Sequence, residues 1–180
     1  GTGTTTFNGA LNFNTAAGLV VNAANITVNN TVTTTASGVV TLNPGTLLTI
    51  AASGDMSLDG AFSQGGAGTV TTAGDITTTN DAIGFTNAVT LSGAVALNTG
   101  AGVGNISFGS TLDGTQNLTL TAGTGSITFT GVVGATRLGI VSIVSALNVT
   151  ATTFSAASLS QTAGTGTTTF NGALNFNTAA

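Results

Sequence analysis

The chain contains one 17-residue stretch twice. Residues 1–17 and residues 164–180 both read GTGTTTFNGALNFNTAA. Because the offset is 163 residues, the sequence reads as one complete repeat, residues 1–163, followed by the start of the next, residues 164–180. Tandem arrays of such units build length, and each unit stacks on its neighbours. We therefore expect a window from a tandem array, in which the partners are identical neighbouring repeats stacked end to end.

Charged side chains are almost absent from the chain. They make up 3% of the residues, against about 25% in ordinary globular domains. They are one cation, Arg137, and five carboxylates, Asp55, Asp59, Asp75, Asp81 and Asp113. The net charge of −4 argues against a nucleic-acid partner, which needs Lys and Arg to neutralise phosphates. No apolar run is long enough for a transmembrane helix, and the absence of Cys excludes disulfides.

The apolar residues alternate with polar ones in short runs. Hydrophobic residues reach 41% with a single proline, which is typical of a folded chain. Period-2 alternation predicts half-buried strands, and no sustained helical period exists, so we expect essentially no helix. The predicted strands are centred on 11–13, 26–28, 40–42, 48–50, 56–58, 89–91, 95–97, 106–108, 118–120, 127–129, 147–149 and 174–176.

Turn-forming residues separate these runs, since Gly and Asn accept left-handed backbone conformations. The predicted turns are Asn8-Gly9, Asn43-Pro44-Gly45, Ser53-Gly54, Asp59-Gly60, Gly65-Gly66, Asp113-Gly114 and Asn171-Gly172. Two architectures suit this spacing: a row of antiparallel sandwich domains, two per repeat, or a β-solenoid. The lack of Trp and Tyr, the short runs and the frequent small residues and Asn near corners favour the solenoid. Identical amides stacked on successive coils can form hydrogen-bonded ladders.

A trial division of the repeat gives eight coils of about 20 residues, within the range of solenoid repeats. The trial coils begin near Gly1, Ile26, Thr46, Ala67, Ala88, Ile106, Ile127 and Leu147, and the second repeat begins at Gly164. Outward side chains of a solenoid lie about 4.8 Å from their equivalents on the next coil. Stacked like charges would repel, whereas stacked Thr or Asn can pack or hydrogen-bond, and the nine Phe residues are expected to fill the core.

Three segments resemble a known family: ISFGSTLDGTQNLTLTAGTGSITFTGVVG (106–134), TAGDITTTNDAI (72–83) and SLSQTAGTGTTTFNGA (158–173). They are similar to the β-strand repeats of giant bacterial secreted surface proteins, the filamentous-haemagglutinin-like and autotransporter-like adhesins. The resemblance implies an all-β, right-handed parallel β-helix at the cell surface or outside the cell. It also implies a role in a filament, sheath or adhesin stalk. Separately, the Thr-rich, Lys-free surface would let neighbouring rods come close, which allows lateral association between filaments. It brings no catalytic motif.

Two pairs of carboxylates are candidate sites. Asp55 and Asp59 share one face of a predicted strand, and they would suit a glycosidase if their carboxyl groups lay about 5 to 9 Å apart. The alternative is an outward strand face that ends in an Asp59-Gly60 turn. Asp75 and Asp81 could bind Ca²⁺ through oxygen atoms, but the GGxGxD repeat of calcium-binding β-rolls is absent, which favours solvated corner residues.

Other candidates have equally simple alternatives. Arg137 either pairs with an Asp or stays solvated, and the Gly100–Gly109 stretch lacks the lysine and helix of a phosphate loop, so we expect a corner. The N-x-[ST] motifs at Asn25, Asn29, Asn105, Asn117 and Asn148 follow from composition. The Thr-x-Thr triplets, which suggest ice binding, are Thr31/Thr33, Thr69/Thr71, Thr119/Thr121 and Thr128/Thr130.

We therefore expect a non-enzymatic structural protein with no catalytic, cofactor or metal site. A binding module that recognises glycan or ice through its Thr-rich outer face is the alternative. An enzyme on a β-helix, such as a polysaccharide lyase, is a third possibility, but the chain lacks His, Glu and Lys as bases.

Overall fold

The computed structural model describes residues 1–176, a part of the chain that holds 21 strands and no helix. The last four residues of the second copy, 177–180, lie outside the described residues. The strands are β1 (Thr4–Phe7), β2 (Leu11–Phe13), β3 (Leu19–Val28), β4 (Val32–Thr34), β5 (Val40–Ile50), β6 (Met56–Leu58), β7 (Phe62–Gln64), β8 (Thr69–Thr72), β9 (Ile76–Thr78), β10 (Ile83–Phe85), β11 (Val89–Leu91), β12 (Val95–Asn98), β13 (Ile106–Phe108), β14 (Leu112–Asp113), β15 (Leu118–Thr121), β16 (Ile127–Phe129), β17 (Val133–Ala146), β18 (Val149–Ala151), β19 (Phe154–Gly164), β20 (Thr168–Phe170) and β21 (Leu174–Asn175). The prediction of an all-β chain is confirmed.

Strand pairing turns the chain into a parallel β-solenoid with three strand segments per coil. All of the pairings are parallel, and each joins a segment to the segment about 21 residues further along the chain. The segments therefore form three stacked columns, which we call face 1, face 2 and face 3 in the order in which the chain visits them. Parallel strands need such crossovers, since a tight hairpin cannot join them.

Each face is defined by one column of paired residues. Face 1 contains Thr5, Ile26, Leu48, Val70, Val89, Leu112, Val133, Phe154 and Leu174. Face 2 contains Leu11, Val32, Met56, Ile76, Leu97, Leu120, Ile143 and Gln161. Face 3 contains Leu19, Val40, Phe62, Ile83, Ile106, Ile127, Val149 and Thr168.

The core runs inside the three faces as one continuous apolar cluster. In strands such as β6, β13 and β16, alternate residues point inward and are buried, as the period-2 pattern predicted. Phenylalanine rings stack along the axis, with Phe85 and Phe129 on either side of Phe108 at centroid distances of 5.4 and 5.2 Å and nearly parallel planes. Five rings are buried, those of Phe62, Phe85, Phe108, Phe129 and Phe154, so the expectation that Phe fills the core is confirmed for them.

Two predicted elements differ from the structure. The Asn43-Pro44-Gly45 turn lies inside β5, which bends from face 3 to face 1 at this point. Its pairing with β3 shifts register here: Ala23 pairs with Pro44, and Asn25 then pairs with Leu47. This corner is thus an irregularity within one long strand. Leu147, expected in a strand, is 38% exposed at a corner, and the strand begins two residues later at Val149.

Coil length varies, and this variation explains the error in the trial division. Coils range from 18 residues (Ile143 to Gln161) to 24 residues (Val32 to Met56). The trial starts from Ile26 to Ala88 open or precede strands of face 1, whereas Ile106 and Ile127 open strands of face 3. The trial coil starts therefore move from face 1 to face 3 at Ile106. Nothing in the sequence marks this change, because all three faces carry the same alternating pattern.

Candidate functional site

An open groove of about 340 Å³ lies on face 2. Its polar walls come from equivalent positions on three successive coils, because Thr33, Ser57 and Thr77 form one outward column. Thr31, Asp55, Met56 and Asp75 complete the lining. Met56 is buried, with 2% of its surface exposed. The groove therefore has hydroxyl and carboxylate walls.

The two carboxylates of the groove are engaged in the scaffold. Asp55 Oδ1 accepts a hydrogen bond from the backbone N–H of Asp75 at 2.8 Å, and Asp75 Oδ1 accepts one from the backbone N–H of Ala96 at 2.7 Å. Each carboxylate thus anchors the start of the next coil on the same face. The structure brings Asp55 together with Asp75 in the groove, a pair that the sequence analysis did not consider.

The predicted pair of Asp55 and Asp59 serves two different coils. Asp59 Oδ2 accepts from the backbone N–H of Ser37 on the preceding coil at 2.8 Å, whereas Asp55 binds the following coil. Asp59 N–H is also bonded to Thr34 Oγ1 at 3.0 Å. These contacts match the interpretation of Asp59-Gly60 as a structural corner, and each carboxylate uses one of its two oxygen atoms to hold a neighbouring coil.

The predicted calcium pair, Asp75 and Asp81, lies at opposite ends of β9. Asp75 is bonded to Ala96, and the backbone carbonyl of Asp81 accepts a hydrogen bond from Thr78 Oγ1. Among residues 1–176, no group of three or more His, Cys, Asp or Glu side chains is arranged to hold a metal ion.

The five asparagines of the glycosylation motifs all bond to a neighbouring coil. Asn105, Asn117 and Asn148 accept backbone N–H groups of the next coil, from Ser126, Ile140 and Thr167 at 2.7 to 2.9 Å. The side chains of Asn25 and Asn29 donate to Thr4 and Asn8 on the preceding coil. Their role is therefore inter-coil hydrogen bonding.

The predicted amide ladders exist at two corners. Asn29 Nδ2 donates to Asn8 Oδ1 at 2.8 Å, and Asn43 Nδ2 donates to Asn22 Oδ1 at 2.9 Å. The other asparagines described above bind backbone groups or a hydroxyl instead. Stacked amides are thus confirmed at these two corners, whereas Asn105, Asn117 and Asn148 use an amide-to-backbone contact that the sequence pattern did not predict.

Gln64 is a buried polar residue that the sequence analysis missed. It is fully buried, its Nε2 donates to the carbonyl oxygens of Gly65 and Gly68, and its Oε1 accepts from Thr86 N and Asn87 N at 3.1 Å each. The only sequence signal is its spacing: it stands two residues after Phe62, so period 2 directs both side chains inward. One amide therefore stabilises corners on two coils.

Arg137 contacts an amide. Its guanidinium donates to Asn175 Oδ1 at 3.4 Å, and Asn175 is the copy of Asn12 in the second repeat. The Gly100–Gly109 stretch runs across the corner between β12 and β13 and into the corner after β13. Gly102 N–H is bonded to Asn80 Oδ1 there at 2.7 Å, as expected of a corner.

The Thr-x-Thr triplets are distributed over all three faces. Thr31/Thr33 and Thr119/Thr121 lie on face 2, Thr69/Thr71 on face 1 and Thr128/Thr130 at face 3. Single outward columns are more regular: Thr6, Thr27, Thr49, Thr71 and Thr90 succeed one another on face 1. The outer surface of residues 1–176 therefore carries single hydroxyl ladders and no continuous ladder of Thr pairs.

Comparisons with protein families, curated proteins and solved structures find no match to this chain. The described residues contain no helix with the length and hydrophobicity to cross a bilayer.

Proposed function

We propose that this chain is a structural segment of an extracellular filament, sheath or adhesin stalk, built from tandem β-solenoid repeats of a giant secreted protein. One observation supports the proposal most directly. The second copy of the repeat continues the same stack: Thr168 pairs with Val149, and Leu174 pairs with Phe154, in parallel register.

The mechanical basis is a continuous ladder around a dry core. Backbone hydrogen bonds connect every coil to the next along three faces, and the described residues hold no buried side-chain polar atom without a partner. Neighbouring coils contribute both packing and hydrogen bonds, so each coil stabilises the next, as in other stacked-repeat proteins. Such a rod resists separation of its coils.

The end coils support a longer array. Phe7 and Phe13 in the first coil and Phe170 in the last are only partly buried, whereas the rings of the middle coils are fully buried. The end coils also leave strand edges without a partner among residues 1–176, and exposed edges template further pairing. A preceding or following repeat would cover both the rings and the edges.

Immunogold electron microscopy of intact source cells tests the role. An antibody raised against this chain should label thin filaments or a sheath outside the cell, with label repeated along each filament. Label confined to the cell interior, or bound to isolated globular particles, would overturn the proposal.

The hydroxyl columns and the groove between Asp55 and Asp75 favour a second candidate function, a binding module for glycan. Ordered hydroxyl and carboxylate groups at regular spacing can hydrogen-bond to sugar hydroxyls. Retention of the chain on a glycan array, lost in a Ser57→Leu variant, would support this role. Thermal hysteresis would instead indicate ice binding, the less favoured form of this alternative.

A further inference from the structure

The two identical copies occupy different faces of the solenoid. Thr5 lies on face 1, paired with Ile26, whereas its copy, Thr168, lies on face 3, paired with Val149. Likewise Leu11 lies on face 2, and its copy, Leu174, lies on face 1. In both cases the copy lies one face earlier in the order in which the chain visits the faces.

Counting coils shows how large the shift is. Face 1 advances by eight coils from Thr5 to Leu174, and Leu11 stands one strand segment after Thr5. Leu174 is therefore seven and two-thirds coils after Leu11. Face 3 gives the same result for Thr5 and its copy. Leu19 stands two segments, or two-thirds of a coil, after Thr5, and Thr168 is seven coils after Leu19. Thr168 is therefore seven and two-thirds coils after Thr5.

We propose that consecutive 163-residue repeats stack with a rotation of one-third of a turn, so that each strand of the repeat moves to the neighbouring face in the next copy. This inference rests on the proposed tandem array. The same sequence returns to the same face only after three repeats, which is 489 residues and 23 coils, or about 110 Å at roughly 4.8 Å per coil.

The hydroxyl ladders join across the boundary between copies in this arrangement. The outward column of face 3 contains Thr41, Ser63, Gly84, Ser107, Thr128, Thr150 and Thr169. Thr169 is the copy of Thr6, which begins the Thr ladder of face 1. The face 3 ladder would therefore continue into the copies of Thr27, Thr49, Thr71 and Thr90 without a change in chemistry.

The rotation is tolerated because the three faces are equivalent in pattern. Strands on all of them, such as β11, β6 and β13, alternate buried apolar and exposed small polar residues, so one segment satisfies the inward and outward requirements of any face. The consequence is a filament whose three sides are identical on average. A neighbouring copy of the filament would find the same lateral contact surface on every side.

Cysteine cross-linking in this cysteine-free chain tests the placement of the second copy. Paired residues on adjacent parallel strands lie within disulfide range, so a Thr150→Cys, Thr169→Cys variant should cross-link nearly completely under mild oxidation. A Ser155→Cys, Thr169→Cys variant is the matched control, since a repeat of eight whole coils would bring those two residues together instead. Cross-linking of the control pair, with none at Thr150 and Thr169, would overturn the inference.

Cryo-electron microscopy of filaments with three or more repeats tests the array itself. We expect an axial shift of about 37 Å per repeat, combined with a rotation of one-third of a turn beyond the gradual twist of the rod. Rods in which successive repeats show no such rotation would overturn this inference and leave the proposed filament role intact. The absence of rods would overturn both.

Discussion

At the scale of single residues, the polar side chains of this protein hold coils together. Asp55, Asp75 and Asn105 each accept a backbone N–H of the next coil at 2.7 to 2.8 Å. Buried hydroxyls follow a related rule: Thr34 and Thr99 donate to the carbonyls of Gly38 and Gly104 at the corner after their strands. Most of the few carboxylates of the chain therefore serve as hydrogen-bond acceptors for backbone N–H groups of other coils.

Replacing Gln64 by leucine tests this role. Gln64→Leu keeps the side-chain volume but removes the partners of the half-buried Asn87 N–H and of the carbonyl of Gly68, which is buried. Because each unsatisfied buried group costs about 1–3 kcal/mol, we expect the free energy of unfolding to fall by about 2–4 kcal/mol in urea denaturation. Ser63→Ala, at the exposed neighbouring position, should change it by less than about 0.5 kcal/mol. Equal stability of Gln64→Leu and the parent chain would contradict this role.

Some of these residues could be predicted from the sequence and others could not, for a physical reason. The asparagine ladders could be predicted because Asn stands at turn signals. The partner of Asp55 could not, since it lies 20 residues away, and only the lengths of the intervening strands and corners bring Asp75 beside it. Gln64 was missed because a polar residue at an inward position breaks the apolar alternation on which strand prediction depends.

At the scale of strands, outward columns explain why the surface carries so few charges. Ser107, Thr128 and Thr150 are exposed and succeed one another on face 3. Equivalent outward positions lie about 4.8 Å apart on adjacent coils. If the same charged residue recurred along a column, like charges on adjacent coils would therefore lie close together and repel each other.

A triple aspartate variant tests the column effect. We expect Ser107→Asp, Thr128→Asp and Thr150→Asp together to destabilise the fold by about 1–2 kcal/mol more than the sum of the three single changes, because charges about 4 Å apart repel by about 1 kcal/mol in water. Salt should reduce the excess. The matched control places three aspartates on three faces, at Thr27, Thr121 and Thr150, and should be additive in thermal or urea unfolding. Additivity in the stacked variant would show that charge repulsion does not shape this surface.

The strands themselves were largely predictable, but their assignment to faces was not. Triplets such as Ile106–Phe108 and Ile127–Phe129 occur where the alternation predicted them. Strands with polar inward residues, such as β7 and β9, escaped prediction. Because every face has the same pattern, period 2 cannot say which face a strand joins, and some trial coil starts therefore lie on face 3 instead of face 1. The count of about eight coils is confirmed, since the pairing gives seven and two-thirds coils per repeat.

At the scale of the whole molecule, one continuous core and three parallel ladders form a rod. The rod has a single site for trypsin, because Arg137 is the only cation and the chain has no Lys. Arg137 is half-buried in β17, next to Leu138, where the paired register with β19 resumes after a shift, and β17 also pairs with β15 from Val141 onward.

We therefore expect trypsin to leave the native chain intact and to cut the denatured chain once, after residue 137, as read by mass spectrometry. Val103→Arg places a site at a corner where the native residue is 75% exposed, and this control should be cut in the native state. Cleavage of the native parent chain after Arg137 as fast as that of the denatured chain would argue against a continuously paired rod.

Small-angle X-ray scattering of chains with one, two and three tandem repeats tests the central claim most directly. If the repeats form one β-solenoid, each added repeat should lengthen the particle by about 37 Å at constant cross-section, since seven and two-thirds coils advance by roughly 4.8 Å each. Particles that grow in width, or that scatter as separate globules on a flexible string, would contradict the account of this protein as a continuous rod.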